Sequence, residues 1–238
     1  MRIALIIAAA GSGTRFRENG ACGSAFADCD KLWIGLDGEP LWMHSLRNLG
    51  QCVSGEIILS VQPDRKKDFE RVIGSANLPW NIKIIAGGSS RVESVSNALN
   101  VLKNDDGFVA IHDAARPLAD AELLEPLCRF AADNYPAGVI PAAKAADTVK
   151  LIDAAGNVLG DVERSGIALV GTPQVFPVRE YKKALAAALR SGSGKFTDDA
   201  GIYLAAGYKV KVLYSTKYNT KVTVPDDFAC VKVFAAQK

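Results

Sequence analysis

The chain has 238 residues, 49% of them hydrophobic and 23% charged, with a formal net charge of +2. That balance suits a soluble folded protein, lacks the concentrated basic charge of a nucleic-acid binder, and leaves no apolar run near the ~18–20 residues of a membrane span. Five scattered cysteines, Cys22, Cys29, Cys52, Cys128 and Cys230, argue against a disulfide framework; with no signal-peptide layout after Arg2, the expected compartment is the cytoplasm.

The first element is a strand. Residues 3–9 form an unbroken apolar run, suited to burial on both faces of a parallel sheet. It leads into Ala10-Gly11-Ser12-Gly13-Thr14-Arg15, where glycines let the backbone turn tightly and present successive N–H groups to an anion. Arg15 adds a planar fork for phosphate oxygens. This is neither a Walker loop nor a complete Gly-x-Gly-x-x-Gly, because position 16 is Phe. The polar insert 18–29 follows and reads as a mobile loop.

Strands near 56–61, 82–85, 108–111 and 138–142 then alternate with amphipathic helices near 40–49, 64–73, 90–102, 120–134 and 178–189. Such alternation implies βαβ units, a parallel sheet, and ligands at the carboxyl ends of the strands. Residues 147–164 break the rhythm and read as a hairpin around Asp153-Ala154-Ala155-Gly156-Asn157. An isolated two-stranded ribbon is marginally stable, so this arm is expected to pack on something else, most economically a second subunit.

Three later segments carry chemistry. Gly87-Gly88-Ser89-Ser90 opens a helix, with Ser90 and Glu93 at capping-box spacing and Ser94 in the first turns. The strand ending in His112-Asp113 places a carboxylate where ligands gather, suited to a Mg²⁺ ion carried on phosphates, with Arg116 three residues on. Lys217 to Asp227 reads as a short strand bearing Lys221, then a helix with Pro225 at its start. His44 and His112 are the only histidines, and no nucleophile–base pair stands out.

The combination Ala-Ala-Gly-x-Gly-x-Arg, Gly-Gly-x-x-Arg-x-x-Ser, His-Asp-Ala-Ala-Arg-Pro, Asp-Thr-x-Lys, Thr-Pro-Gln-x-Phe and Asn-x-Lys-Val-Thr-x-Pro-Asp-Asp resembles one family. It is that of the 2-C-methyl-D-erythritol 4-phosphate cytidylyltransferases of non-mevalonate isoprenoid synthesis; ribitol-5-phosphate cytidylyltransferases are close relatives and the alternative. The resemblance implies an α/β fold over 1–238, with a Rossmann-like, mostly parallel sheet, helices on both faces, and a protruding β-hairpin arm at about 144–168 exchanged across a homodimer. It also implies CTP and a polyol phosphate as substrates, with Mg²⁺ as cofactor.

By that resemblance Arg15, Lys31 and Lys221 are the catalytic cations. Ala9, Ala10, Gly11, Ser12 and Gly13 hold the CTP phosphates. Gly88, Ser89 and Ser94 stand at cytidine positions, although 89 commonly carries an acid. Asp113 and Ala114 lie by the ribose, with Asp113 on the metal, and Arg116, Thr148, Arg164 and Thr172 handle the sugar phosphate, Arg164 in the partner's site. The insert lengthens the usual Arg15-to-Lys31 spacing, so it is expected to order on nucleotide binding and bring Lys31 in.

Overall fold

The computed structural model describes residues 1–11, 13, 14, 16, 30–191, 196–216 and 218–237. Among them the order is β1 (Ile3–Ala9), a 3₁₀ turn (Lys31–Trp33), β2 (Gly35–Leu36), β3 (Glu39–Pro40), α1 (Leu41–Gly50), β4 (Ile57–Val61), α2 (Lys66–Ser75), β5 (Ile82–Ala86), α3 (Arg91–Asn100) and β6 (Phe108–Asp113). There follow α4 (Ala121–Asp133), β7 (Gly138–Lys144), β8 (Val149–Ile152), β9 (Val158–Val162), β10 (Ala168–Val170), β11 (Gln174–Pro177), α5 (Val178–Arg190), α6 (Asp199–Ala205), β12 (Val210–Tyr214) and α7 (Pro225–Ala235).

The main sheet runs β5-β4-β1-β6-β11-β7, with β10 on the same edge of β7 as β11 and β12 on the other. The β1–β4, β1–β6, β4–β5 and β7–β12 pairs are parallel, and β10 and β11 run against their neighbours. The alternation of strand side chains builds two cores. Ile3, Leu5 and Ile7 face Trp42, Leu46, Phe69 and Leu124, whereas Ala4 and Ile6 face Leu99, Phe176, Tyr181 and Tyr203. Each large side chain so buried contributes on the order of 2 kcal/mol of transfer free energy. A third cluster joins Phe16, Leu36, Leu118, Val222 and Phe228, fastening the chain after β1 to the C-terminal helix.

The expected strands and helices are present with shifted ends, and the hairpin forms its own two-stranded sheet, β8 with β9. Its apolar residues stand in solvent: Leu151, Ile152, Val158 and Leu159 are 57–64% exposed.

Two features depart from expectation. The described residues 218–224 form no strand, because their backbone bonds to separate loops: Val222 N–H donates to Ala115 O, and Val222 O accepts from Lys31 Nζ at 2.8 Å. The antiparallel β10 and β11 and the edge strand β12 were not anticipated. Gly171-Thr172-Pro173 splits β10 from β11 into pieces too short for a period to register.

Candidate active site

The carboxyl ends of β1, β5 and β6 open onto a cavity of about 430 Å³, a size suited to a small ligand. Gly11, Lys31, Asp113 and Lys221, drawn from four distant stretches, all line it. Gly13 has φ +68°, a left-handed conformation that glycine adopts without strain and that turns the loop after β1. Gln62 Nε2 donates to Gly11 O at 3.0 Å and steadies that loop.

The opposite wall is the start of α3. Ser90 caps the helix by accepting from Glu93 N–H at 3.1 Å. Glu93 does not complete the box at Ser90; its Oε2 takes both N–H (2.8 Å) and Oγ–H (2.7 Å) of Ser89. Those bonds hold the exposed Glu93 carboxyl below the usual range. The paired glycines are required by close packing. A Cβ on Gly87 would lie 2.5 Å from Ala10 Cβ, and one on Gly88 would lie 2.3 Å from Glu93 Cβ. The Ser94 hydroxyl donates to Ser90 O and accepts from Gly88 N–H, so it holds the loop's shape.

Asp113 is the hub. Oδ1 accepts from Arg91 Nε at 3.2 Å, Oδ2 accepts from Lys221 Nζ at 2.7 Å, and Arg116 Nε lies 3.9 Å from Oδ2. Burial works to raise the carboxyl's pKa, but the charges of Arg91, Lys221 and Arg116 outweigh it and hold the group ionised, well below the carboxylate range.

Beneath Asp113 lies a hydrogen-bonded floor. The His112 Nε2 position meets the Arg116 carbonyl at 3.1 Å, so Nε2 carries the proton, and Nδ1 accepts from the Thr172 hydroxyl at 3.1 Å. The same hydroxyl accepts from Asp113 N–H at 3.0 Å. Burial pushes His112 down to about 4. The imidazole is therefore neutral and structural, while His44 sits on α1 with its ring against Leu36 O. Burial also lowers the Arg116 pKa, although Asp113 opposes that shift.

A second cavity, about 890 Å³, adjoins the first. Arg116, Lys144, Gly171, Tyr214 and Asn219 line it, and Lys221 is shared by both. Arg116 Nη1 donates to Asn219 O at 2.7 Å and Asn219 Nδ2 to Thr172 O at 2.7 Å, tying β6, the β10–β11 break and the C-terminal segment together.

The residues singled out from sequence divide accordingly. Ser12, Arg15 and the insert 18–29 lie outside the described residues, as does Lys217. Ala10, Gly11, Gly13, Lys31, Gly88, Ser89, Ser94, Asp113 and Lys221 line the first cavity, and Arg116 lines the second. Ala9 and Ala114 do not line it; their side chains face the core, and Ala114 N–H is given to Ala8 O. Ala8 and Ala115 take their places on the wall. Thr172 is buried in the floor with its hydroxyl engaged on both sides, so it supports Asp113 without opening onto either cavity. Thr148 and Arg164 also line neither cavity. Both are exposed at the arm, where Arg164 Nη1 donates to Ala146 O at 2.8 Å.

Arg91 falls within the Gly-Gly-x-x-Arg-x-x-Ser motif with no role assigned to it there, and Asp199 and Tyr181 belong to none of the motifs. Arg91 stands in the first turn of a helix opened by glycines, which is a usable signal. Asp199 lies some hundred residues away and gave none.

A glycine-turned N–H loop, a helix mouth, and cations gathered on one carboxylate at a parallel sheet edge define an α/β nucleotide-binding transferase site. The model of the family IspD, 2-C-methyl-D-erythritol 4-phosphate cytidylyltransferase, matches residues 3–237, and the chain belongs to that family. It is 36% identical over 231 residues to the 2-C-methyl-D-erythritol 4-phosphate cytidylyltransferase of Prochlorococcus marinus strain MIT 9312, covering 96% of each chain. Among solved structures it resembles the 4-diphosphocytidyl-2C-methyl-D-erythritol synthase of Anaerococcus prevotii DSM 20548, with TM-score 0.80, 26% identity, and 99% and 98% of the two chains covered. It is also similar to the Francisella tularensis 2-C-methyl-D-erythritol 4-phosphate cytidylyltransferase, with TM-score 0.74, 26% identity, and 98% and 100% covered.

Proposed function

We propose that this chain transfers the cytidylyl group of CTP to 2-C-methyl-D-erythritol 4-phosphate, giving the CDP-linked polyol and pyrophosphate. The observation that carries this reading is Lys221, which stands on Asp113 at the junction of the two cavities. A nucleotide in the first cavity and a polyol phosphate in the second would meet at that ammonium group. The relatives described above are named for 2-C-methyl-D-erythritol 4-phosphate or for diphosphocytidyl-methylerythritol, which favours this acceptor over ribitol 5-phosphate.

The acceptor's phosphate oxygen bonds to the α-phosphorus while the bond to the bridging α–β oxygen breaks, and that oxygen's electrons leave with pyrophosphate. The attacking oxygen is already anionic, so no strong base is needed, and positioning with charge stabilisation suffices. The loop from Ala10 to Gly13 receives the phosphates, with Lys31 and, by the family resemblance, Arg15 neutralising charge as pyrophosphate departs. Lys221 draws the two phosphates together against their repulsion. Arg116 holds the acceptor's side, and Thr148 and the partner's copy of Arg164 are proposed to reach it across a homodimer built by the arm.

Mg²⁺ fits this donor set in one way. Among the described residues, Asp113 is the only carboxylate on the first cavity's wall, and they contain no cluster of three metal-ligating side chains. A single carboxylate suits an ion that enters on the nucleotide and keeps phosphate oxygens and water as its other ligands. Asp113 would hold it, and the ion would supply Lewis-acid neutralisation of phosphate charge.

The deciding experiment follows pyrophosphate release with CTP, ATP, GTP or UTP against each acceptor. Turnover only with CTP and the methylerythritol phosphate is expected. Faster turnover with ribitol 5-phosphate would overturn the acceptor assignment.

A further inference from the structure

Asp199 is wholly buried, and a carboxylate in that position needs a paired charge. Its Oδ1 accepts from Tyr181 Oη at 2.6 Å, and its Oδ2 lies 2.7 Å from Arg91 Nη2. The other side of the same guanidinium, Nε, donates to Asp113 Oδ1. Arg91 therefore spans two carboxylates, one in the core between α5 and α6 and one on the cavity wall. Burial works against the charge of Arg91, but Asp199 and Asp113 hold it more firmly protonated than an ordinary arginine.

The two cations on Asp113 differ in freedom. Lys221, a single ammonium on a flexible stem with a third of its side chain exposed, can leave the carboxylate for a phosphate. Arg91 cannot follow without stranding the buried Asp199 charge. The Oδ1 contact is thus fixed, and with it the direction in which Oδ2 faces Lys221.

We propose that Asp199, acting through Arg91 and braced by Tyr181, is a positioning residue for the transfer reaction: it pins the guanidinium so that Asp113 presents Oδ2 to the junction of the two cavities. This rests on the transferase reading above. A buried ion pair serving stability alone would affect melting but not the balance between binding and turnover.

The test is a cycle of Asp199→Asn, Asp113→Asn and the double variant. Asparagine keeps the shape of Asp199 and an acceptor for Tyr181 but removes the charge. For Asp199→Asn, kcat is expected to fall about 30-fold while KM for CTP moves less than threefold. In the Asp113→Asn background the same change should have little further effect, since nothing remains to be positioned. A folded Asp199→Asn enzyme with unchanged kcat, or losses that multiply through the cycle, overturns the proposal. Should Asp199→Asn fail to fold, Tyr181→Phe frees Oδ1 and keeps the ion pair; a kcat loss of about threefold at unchanged KM supports the proposal, and a change in melting alone overturns it. Absence of pyrophosphate release from the unmodified chain would instead sink the transferase reading. The pinning itself is read without turnover, as an exchange-protected Arg91 Nε–H resonance that disappears in Asp199→Asn; its persistence there overturns the pinning.

Discussion

The Asp113 hub and the β8–β9 arm sit in one chain but are finished to different degrees. Around Asp113 the hydrogen bonds and ion pairs close within the chain: Arg91, Lys221, Thr172 and His112 each meet a partner from another element. On the arm Leu151, Ile152, Val158 and Leu159 meet solvent, and an apolar face of that kind marks a surface made to be covered. The difference indicates that the Asp113 hub is preorganised within a single chain, whereas the apolar residues of the arm are left uncovered by the described residues.

The hub gives the largest expected effect. Lys221→Met should lower kcat by about 10³-fold, since it removes the cation proposed to stand where the two phosphates meet; single-turnover cytidylyl transfer measures this, and a loss below tenfold would assign the role elsewhere. Lys31→Ala should cost about 10²-fold, because it removes a donor near the departing pyrophosphate while Lys221 remains. Near-normal pyrophosphate release would show that Lys31 serves only to hold the Val222 carbonyl.

The arm should respond in another way. Leu151→Asp with Leu159→Asp is expected to convert a dimer into single chains in sedimentation, raising KM for the polyol phosphate at least tenfold while CTP affinity changes less than twofold. Equal loss of CTP binding would erase the distinction between the two regions.

The smallest effect concerns the floor of the hub. His112 is held neutral, with a pKa near 4 instead of the usual 6.5. Below pH 6.5 the unfolded chain takes up a proton that the folded chain refuses, so this contribution to stability is present above that pH and fades as the pH falls toward 4. Unfolding free energy should fall by about 2 kcal/mol between pH 7 and pH 4.5 from this group, and His112→Gln should remove that part of the slope in urea titrations at the two pH values.

Some of this architecture was written locally and some was not. The parallel strands, their helices and the hairpin were legible because each carries its own period or turn. The turn after β1 was legible because glycines beside a buried strand let the backbone reverse tightly, as Gly13 does at φ +68°. β10 and β11 escaped notice because three or four residues around a Gly-Thr-Pro break hold no period. The short strand expected ahead of the last helix is absent from the described residues 218–224, where Val222 bonds singly to Ala115 and Lys31 instead of to a neighbouring strand.

Thus sequence alone determined that the carboxyl edge of a parallel sheet would carry glycine-rich turns and the carboxylate of Asp113, since backbone turning and strand period are local properties, while the family resemblance singled out Lys31, Arg116 and Lys221. Tertiary structure decided which charges share a carboxylate, that Thr172 is spent beneath Asp113, and that Asp199 stands behind Arg91. Those pairings join residues as much as 108 positions apart; the packing of α3, α5 and α6 on one face of the sheet brings Arg91 to Asp199, and the fastening of residues 218–224 to Ala115 and Lys31 brings Lys221 to Asp113.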